Sequence, residues 1–207
     1  MASNNSKGAV SKEAALTPVS DKTGHTIFIC APQWFDERKM YKIANAPART
    51  AALEFSGSDL NLMARVLYAE AAGSAQLIDK ADRDKEKSAI MNVNHFRLNR
   101  KGYPRDDYIA TSWRMVCYAK GQFESVFEKT PKFKNAQVEK VDTMSKAECS
   151  DLDEAIAGVK AFMENGPDPQ YLFDNFRGYD PKGAGTHVGR SRFFLSDTGR
   201  KLAAKNP

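Results

Sequence analysis

Ser58-Asp59-Leu60-Asn61-Leu62-Met63-Ala64-Arg65-Val66-Leu67-Tyr68-Ala69-Glu70-Ala71-Ala72-Gly73 is the stretch from which the rest of the chain is read. Leu60, Met63, Val66, Leu67 and Ala71 recur at steps of three and four, the spacing that lines one face of an α-helix. Ser58 or Asp59 is placed to cap the first turn, and Gly73 to end the helix. A single acid, Glu70, follows Leu67, Tyr68 and Ala69. A carboxyl held against such an apolar surface loses hydration and its pKa rises, as a general acid working near neutral pH requires. A negative charge near a helix C-terminus is also mildly unfavourable, so helix stability does not account for it. The plainer reading of Glu70 is an exposed helix-terminal residue.

Outward from this helix, Gln76 to Lys87 reads as a solvated loop running into a second helix with Ala89, Ile90, Val93, Phe96 and Arg97, which stops at Gly102 before Pro104. Trp113 to Tyr118 is half-apolar and leads into the turn Lys120-Gly121-Gln122-Phe123. Ser150 with Asp153 caps a third helix carrying Leu152, Ile156, Val159 and Phe162 on one face, closed by Gly166-Pro167. Tyr171-Leu172-Phe173 and Arg192-Phe193-Phe194-Leu195 read as short strands joined by a glycine-rich loop. Upstream, residues 1 to about 22 lack a hydrophobic period and read as a mobile tail. Thr26 to Cys30 reads as a buried strand, and Met40 to Ala44 as one or two helical turns. No internal repeat is present. The expectation is an α+β, mostly helical domain over 56–207, with a small late β element and an N-terminal extension over 1–55.

Composition limits the function classes. The 207 residues are 42% hydrophobic and 28% charged, with a net charge of +5; a domain of this size buries about 70% of its unfolded surface and needs no metal or disulfide staple. An aromatic content of 10% excludes a wholly disordered chain, and 13 glycines without a period exclude a collagen-like one. No run of about 18 apolar residues occurs, so no membrane-spanning helix is expected. The N-terminus lacks the apolar core of a secretory signal, so synthesis in the cytoplasm is expected, with any export by another route. Cys30, Cys117 and Cys149 are odd in number and show no C-x-x-C spacing, so three free thiols are expected. With His25, His95 and His187 scattered, no metal site and no cofactor is implied. The positive charge favours an anionic partner, but it is not gathered in one run, which weakens a nucleic-acid reading.

Four blocks in order resemble the SleB/CwlJ cell-wall hydrolase family, over about residues 60–195. Leu62 to Gly73 is similar to that family's "LARVVYAEARGE", and Ala89 to Arg97 to its "AVAAVVLNRV" helix. Cys117 to Val126 resembles the "GQFSPV" turn, while Tyr171 to Asn175 and Thr186 to Phe194 resemble the terminal "ALYFHN" and "HRIGNHVFY" strands. The chain departs from the pattern in three places. Ser74 replaces the family's second acid, a charged insertion (Asp79 to Glu86) separates the first two helices, and Ser191 replaces the late histidine. Residues 1–55 have no counterpart.

The resemblance implies a lysozyme-like fold and cleavage of the β-1,4 bond between N-acetylmuramic acid and N-acetylglucosamine in peptidoglycan. It implies a lytic transglycosylase with Glu70 as its acid and base, forming a 1,6-anhydro ring. As a hydrolase the enzyme would need a second carboxylate, for which Glu124 and Asp174 are the candidates. Gln122, Phe123, Tyr171, Phe173, Asn175 and His187 are the implied glycan-binding residues. Each also has a structural reading: Gln122 as a turn residue, Phe123 as a core anchor, His187 as a structural histidine. Phe193 and Phe194 read as core, and Arg65 and Arg97 as solvating helix faces. The expected partners are glycan strands, without nucleic acid or stable membrane insertion. Action on the cell wall in the periplasm suits a phage endolysin, the favoured role, or an antibacterial effector with an immunity protein. The alternative is a non-catalytic wall-binding module.

Overall fold

Helix α1 (Gly57–Glu70) has Ser56 as its N-cap, whose hydroxyl accepts from the Asp59 N–H at 3.1 Å. The expected caps, Ser58 and Asp59, lie inside the helix and bond the Ser56 hydroxyl instead. The helix ends at Glu70 rather than at Gly73, because Ala71 turns extended (φ −78°, ψ 155°). Leu60, Met63, Val66 and Leu67 are fully buried, each worth about 1.5–3 kcal/mol by removal from water. These side chains form the centre of the core.

In this computed structural model the described residues are 17–20, 26–44, 54–98, 103, 108–137, 139–178 and 182–205. Helix α2 (Lys80–Arg97) begins where a solvated loop was expected. Asp79 caps it, its carboxylate accepting from the N–H groups of Ala81 and Asp82 at 2.7 and 3.3 Å. Arg83, Glu86 and Lys87 are buried, so one face of the charged insertion enters the core while Asp79, Lys80, Asp84 and Lys85 stay exposed. The helix ends at Arg97; the expected stop at Gly102 lies outside the described residues. Three short helices follow: α3 (Trp113–Cys117), α4 (Glu124–Phe127) and α5 (Pro131–Asn135).

Helix α6 (Lys146–Asn165) starts earlier than the expected Ser150, because Ser145 and Glu148 make the true capping box. It packs on α1 and α2. A Cβ on Gly158 would lie 3.2 Å from the Leu67 Cδ2, so the missing side chain lets α6 cross close to α1. Gly166, at φ 74°, ends the helix as expected.

The strands are short. An antiparallel hairpin pairs β1 (Thr17–Ser20) with β2 (Thr26–Ile29), so ordered pairing reaches into the stretch expected to be a tail. Of the stretch expected to be a buried strand, Phe28 is 50% and Ile29 42% exposed, and Cys30 is buried. Strand β3 (Met40–Lys42), expected as helical turns, pairs antiparallel with β4 (Glu54–Ser56). The late sheet has the order β5-β7-β6, with β5 (Asn175–Arg177), β6 (Thr186–Val188) and β7 (Ser191–Phe194). Tyr171 to Phe173, expected as a strand, precede β5 without pairing. Helix α7 (Asp197–Lys205) follows. The architecture is α+β, as expected, and the expected extension contributes Cys30, Phe35 and Ile43 to the shared core.

Cys30 and Cys149 form a disulfide with their Cα atoms 5.7 Å apart, against the expectation of three free thiols. The partners are 119 positions apart, and folding alone brings the segment after β2 to the first turns of α6. Cys117 remains a buried free thiol, its Sγ 3.3 Å from the Met63 Sδ. No described helix is long and apolar enough to cross a membrane.

Candidate active site

Glu70 is the last residue of α1, partly buried, at the end where the macrodipole disfavours a carboxylate. Helix α4 meets it. Ser125 donates two bonds to the Glu70 Oε1, one from its backbone N–H at 3.1 Å and a short one from its hydroxyl. That N–H belongs to the first turn of α4, where helical N–H groups lack intrahelical partners. The Glu70 Oε2 has no hydrogen-bond partner among the described residues. Burial pushes the Glu70 pKa up; the two Ser125 bonds oppose this, Glu124 adds to it, and Lys132 opposes it. The balance lies above the usual carboxylate range.

Phe123 sets α4 in place. It is 1% exposed, its ring centroid 6.0 Å from that of Phe176 in β5 and 5.5 Å from the Arg97 guanidinium carbon. Phe123 is therefore the core anchor of the turn and not a sugar platform. Gln122, next to it, is half-buried; its N–H closes the turn on the Ala119 carbonyl at 3.1 Å. Its side-chain amide makes no hydrogen bond among the described residues, so it remains able to take a ligand. Lys129, a non-glycine residue at φ 50°, redirects the chain from α4 into α5.

The chain after Glu70 is held on several sides. The Lys132 ammonium donates to the Ala71 carbonyl at 3.2 Å, and the Ala72 N–H to the Glu86 Oε2 at 3.1 Å. The Ser74 N–H reaches the Asp151 carboxylate of α6 at 2.8 Å. Glu86, only 1% exposed, also accepts from the Ser191 hydroxyl of β7 at 2.6 Å. It thus joins the exit of α1 to the late sheet. Gly189, at φ 59°, leaves room for it, since a Cβ there would lie 2.8 Å from the Glu86 Cβ.

Below this lies an ionic cluster. Glu154 of α6 takes two bonds from Arg83, at 2.6 and 2.8 Å, and one from Lys87 at 3.2 Å. The Arg83 Nη1 holds the Leu77 and Ile78 carbonyls, both at 2.7 Å, and so the loop between α1 and α2.

The remaining expected residues are scattered around this centre. Asn175 is part of the scaffold, its Oδ1 accepting from the Arg97 Nη2 at 2.9 Å. Arg97 is 2% exposed and also donates to the Asp174 carbonyl at 2.9 Å, so it does not solvate a helix face. Arg65 donates to the Phe133 carbonyl at 3.2 Å and stacks on that ring at 4.3 Å. Asp174, a candidate second acid, is 3% exposed and its carboxylate accepts from the Ser196 N–H and hydroxyl ahead of α7. It is a structural acid. Phe173 is half-buried, its ring 5.8 Å from that of Phe193.

Tyr171 is half-buried; burial and then Asp168 raise its pKa. His187 is exposed on β6, opposite Arg192. No hydrogen bond or ring contact joins Tyr171, Phe173 or His187 to Glu70. A groove of about 520 Å3 between α2 and the end of α6, bordered by Lys80, Asp84, Gly158 and Asp168, contains none of the expected site residues. Among the described residues, no three His, Cys, Asp or Glu side chains group as metal ligands.

Ser125, Glu86 and Lys132 were missed as site residues. Glu86 carried a signal, because Arg83, Glu86, Lys87, Ile90 and Asn94 fall at steps of three and four on one helical face. Charged residues sharing a stripe with Ile90 indicate buried ions rather than a loop. Ser125 lay within the block that resembles the family turn, but nothing local distinguished it from any serine near a helix start. Compared with protein-family models, curated proteins and solved structures, the chain matches none of them.

Proposed function

We propose that the chain is a peptidoglycan-cleaving enzyme of lysozyme-like type, acting as a lytic transglycosylase through Glu70. The observation that carries this is a partly buried carboxyl at a helix end, fixed through one oxygen by Ser125 and unpartnered at the other. Burial raises the Glu70 pKa and so favours the protonated form from which a general acid starts. The Oε2 proton passes to the glycosidic oxygen as its bond to the muramic acid C1 breaks. The carboxylate left behind is stabilised by the two Ser125 donors. It then takes the proton of the muramic acid 6-hydroxyl, whose oxygen attacks C1 and closes the 1,6-anhydro ring. Glu70 ends protonated, and no water is consumed.

A single carboxyl suffices for that sequence. Hydrolysis is the second reading, and Glu124 supports it as the remaining candidate acid, exposed on α4 and close enough for its charge to act on Glu70. The Cys30–Cys149 bond favours action in an oxidising compartment such as the periplasm, reached as an endolysin or as a delivered antibacterial effector.

Purified sacculi digested with wild-type and Glu70→Gln protein, with products read by mass spectrometry, provide the test. Anhydro-ended muropeptides that disappear in the variant are the expected result. Reducing-end products, one water heavier, would select hydrolysis and Glu124. Binding to sacculi without any release by the wild-type protein would refute an enzyme and leave a wall-binding module.

A further inference from the structure

We propose that Lys132 is the positioning residue of Glu70, fixing the turn after the acid and placing a positive charge at the end of the helix that carries it. The inference rests on Glu70 being the acid of the proposed reaction. Its geometric basis is the bond from the Lys132 Nζ to the carbonyl of Ala71, the residue that immediately follows Glu70. The same ammonium sits 4.7 Å from the centroid of the Tyr68 ring, two residues before Glu70. Lys132 therefore brackets the last turn of α1 from outside the helix.

Its stem is half-buried, and its backbone belongs to α5, which Thr130 caps. Phe133 pins α5 to α1 beneath the Arg65 guanidinium. The ammonium is thus held by structure at a helix end, where a cation is favoured. It forms no ion pair within 4.0 Å among the described residues, so no single carboxylate takes up its charge.

Charged groups face it from each packed element. Glu70 approaches from α1, Glu86 and Lys87 from α2, and Glu148 and Asp151 from α6. From α4, Glu124 faces Glu70 and opposes the effect of Lys132 there. Burial lowers the Lys132 pKa, and Asp151 leads the carboxylates that oppose this. Tyr68, pushed up to about 12 by burial and by Glu148 and Asp151, stays neutral and contributes only its ring face. The consequence for catalysis is directional. A fixed cation favours the carboxylate that proton donation leaves behind, and so limits how far burial raises Glu70.

The test is the titration of the Glu70 side-chain carboxyl carbon by NMR in the full-length protein, assigned by its absence in Glu70→Gln. Lys132→Gln keeps a donor for the Ala71 carbonyl and removes the charge; Lys132→Met removes both; Lys132→Arg keeps both. The expected result is a Glu70 midpoint displaced upward in Lys132→Gln and Lys132→Met and retained in Lys132→Arg. The alkaline limb of sacculus digestion should move upward with it in any variant that remains active. A midpoint unchanged in both Gln and Met variants overturns the proposal, and the Gln variant alone decides if the Met variant does not fold. Failure of the reaction itself is distinguishable. A midpoint that moves while wild-type protein releases no muropeptides leaves Lys132 setting an acid of other purpose.

Discussion

Replacing Glu154 by glutamine tests whether the interior of this fold is ionic as well as apolar. The Glu154 carboxylate serves two cations, with side-chain exposures of 11% for Glu154, 7% for Arg83 and 3% for Lys87. Glutamine retains one acceptor oxygen, but its NH2 must face a donor on Arg83 or Lys87. The cluster changes from one surplus positive charge to two, with little access to water. Breaking a buried pair on one side costs about 3–5 kcal/mol, several times the median for an exposed pair. For a chain of this size that corresponds to a fall in Tm of roughly 6–20 °C.

Urea unfolding at constant m, followed by circular dichroism, measures the loss directly. The pH dependence adds a sign. Burial alone would raise the Glu154 pKa, but the Arg83 bond and the Lys87 charge outweigh it and hold the carboxyl below its usual range. The stabilisation is then present above the unfolded carboxyl value, about 4.3, and lost as pH falls through the lower folded value. Wild type and variant should therefore differ at pH 7 and converge in strong acid. A loss below about 1 kcal/mol at pH 7 would mean that the three side chains behave as a solvated surface group, and the reasoning fails.

Two further outcomes follow from the same structure. Cys149→Ser, or reduction of the wild type, removes a cross-link spanning 119 positions, for which chain entropy gives about 4.9 kcal/mol and measured cases commonly 2–5. Thiol titration of the denatured oxidised protein should find one reactive cysteine, and three would refute the pairing. Glu70→Gln should raise Tm at pH 8, because it removes a charge that burial disfavours while keeping an acceptor for Ser125. Since the folded pKa is raised, the difference should vanish as pH falls and Glu70 becomes protonated. Destabilisation of equal size at both pH values would show that Glu70 serves the fold.

The sequence made the long elements legible and the joints between them obscure. Helices α1 and α6 carry uninterrupted apolar stripes, so their existence followed from spacing, although both caps lay a few residues earlier than expected. The start of α2 was hidden because Arg83, Glu86 and Lys87 resemble solvent-facing charge until their partners are known. Those partners are Glu154, Ala72, Ser191 and two loop carbonyls, supplied by tertiary structure. Glu70 was legible as a charge set among apolar neighbours. Ser125 and Lys132 were not, since each lies on a short helix whose placement depends on one buried aromatic, Phe123 or Phe133.

The bond between positions 30 and 149 also has a topological consequence. It closes the intervening chain into a covalent ring that contains α1 to α5, and with them Glu70, Ser125 and Lys132. The late sheet and α7 hang from that ring as a single-stranded appendage. A protease that cuts inside the ring, for example at the exposed Ile78, opens the circle without separating its halves. One that cuts at the exposed Gln170 leaves the sheet attached only through non-covalent contacts, among them those with α2 and with Phe123. Glu70, Ser125 and Lys132 therefore survive a first cut as one covalent molecule, while the sheet does not share that protection.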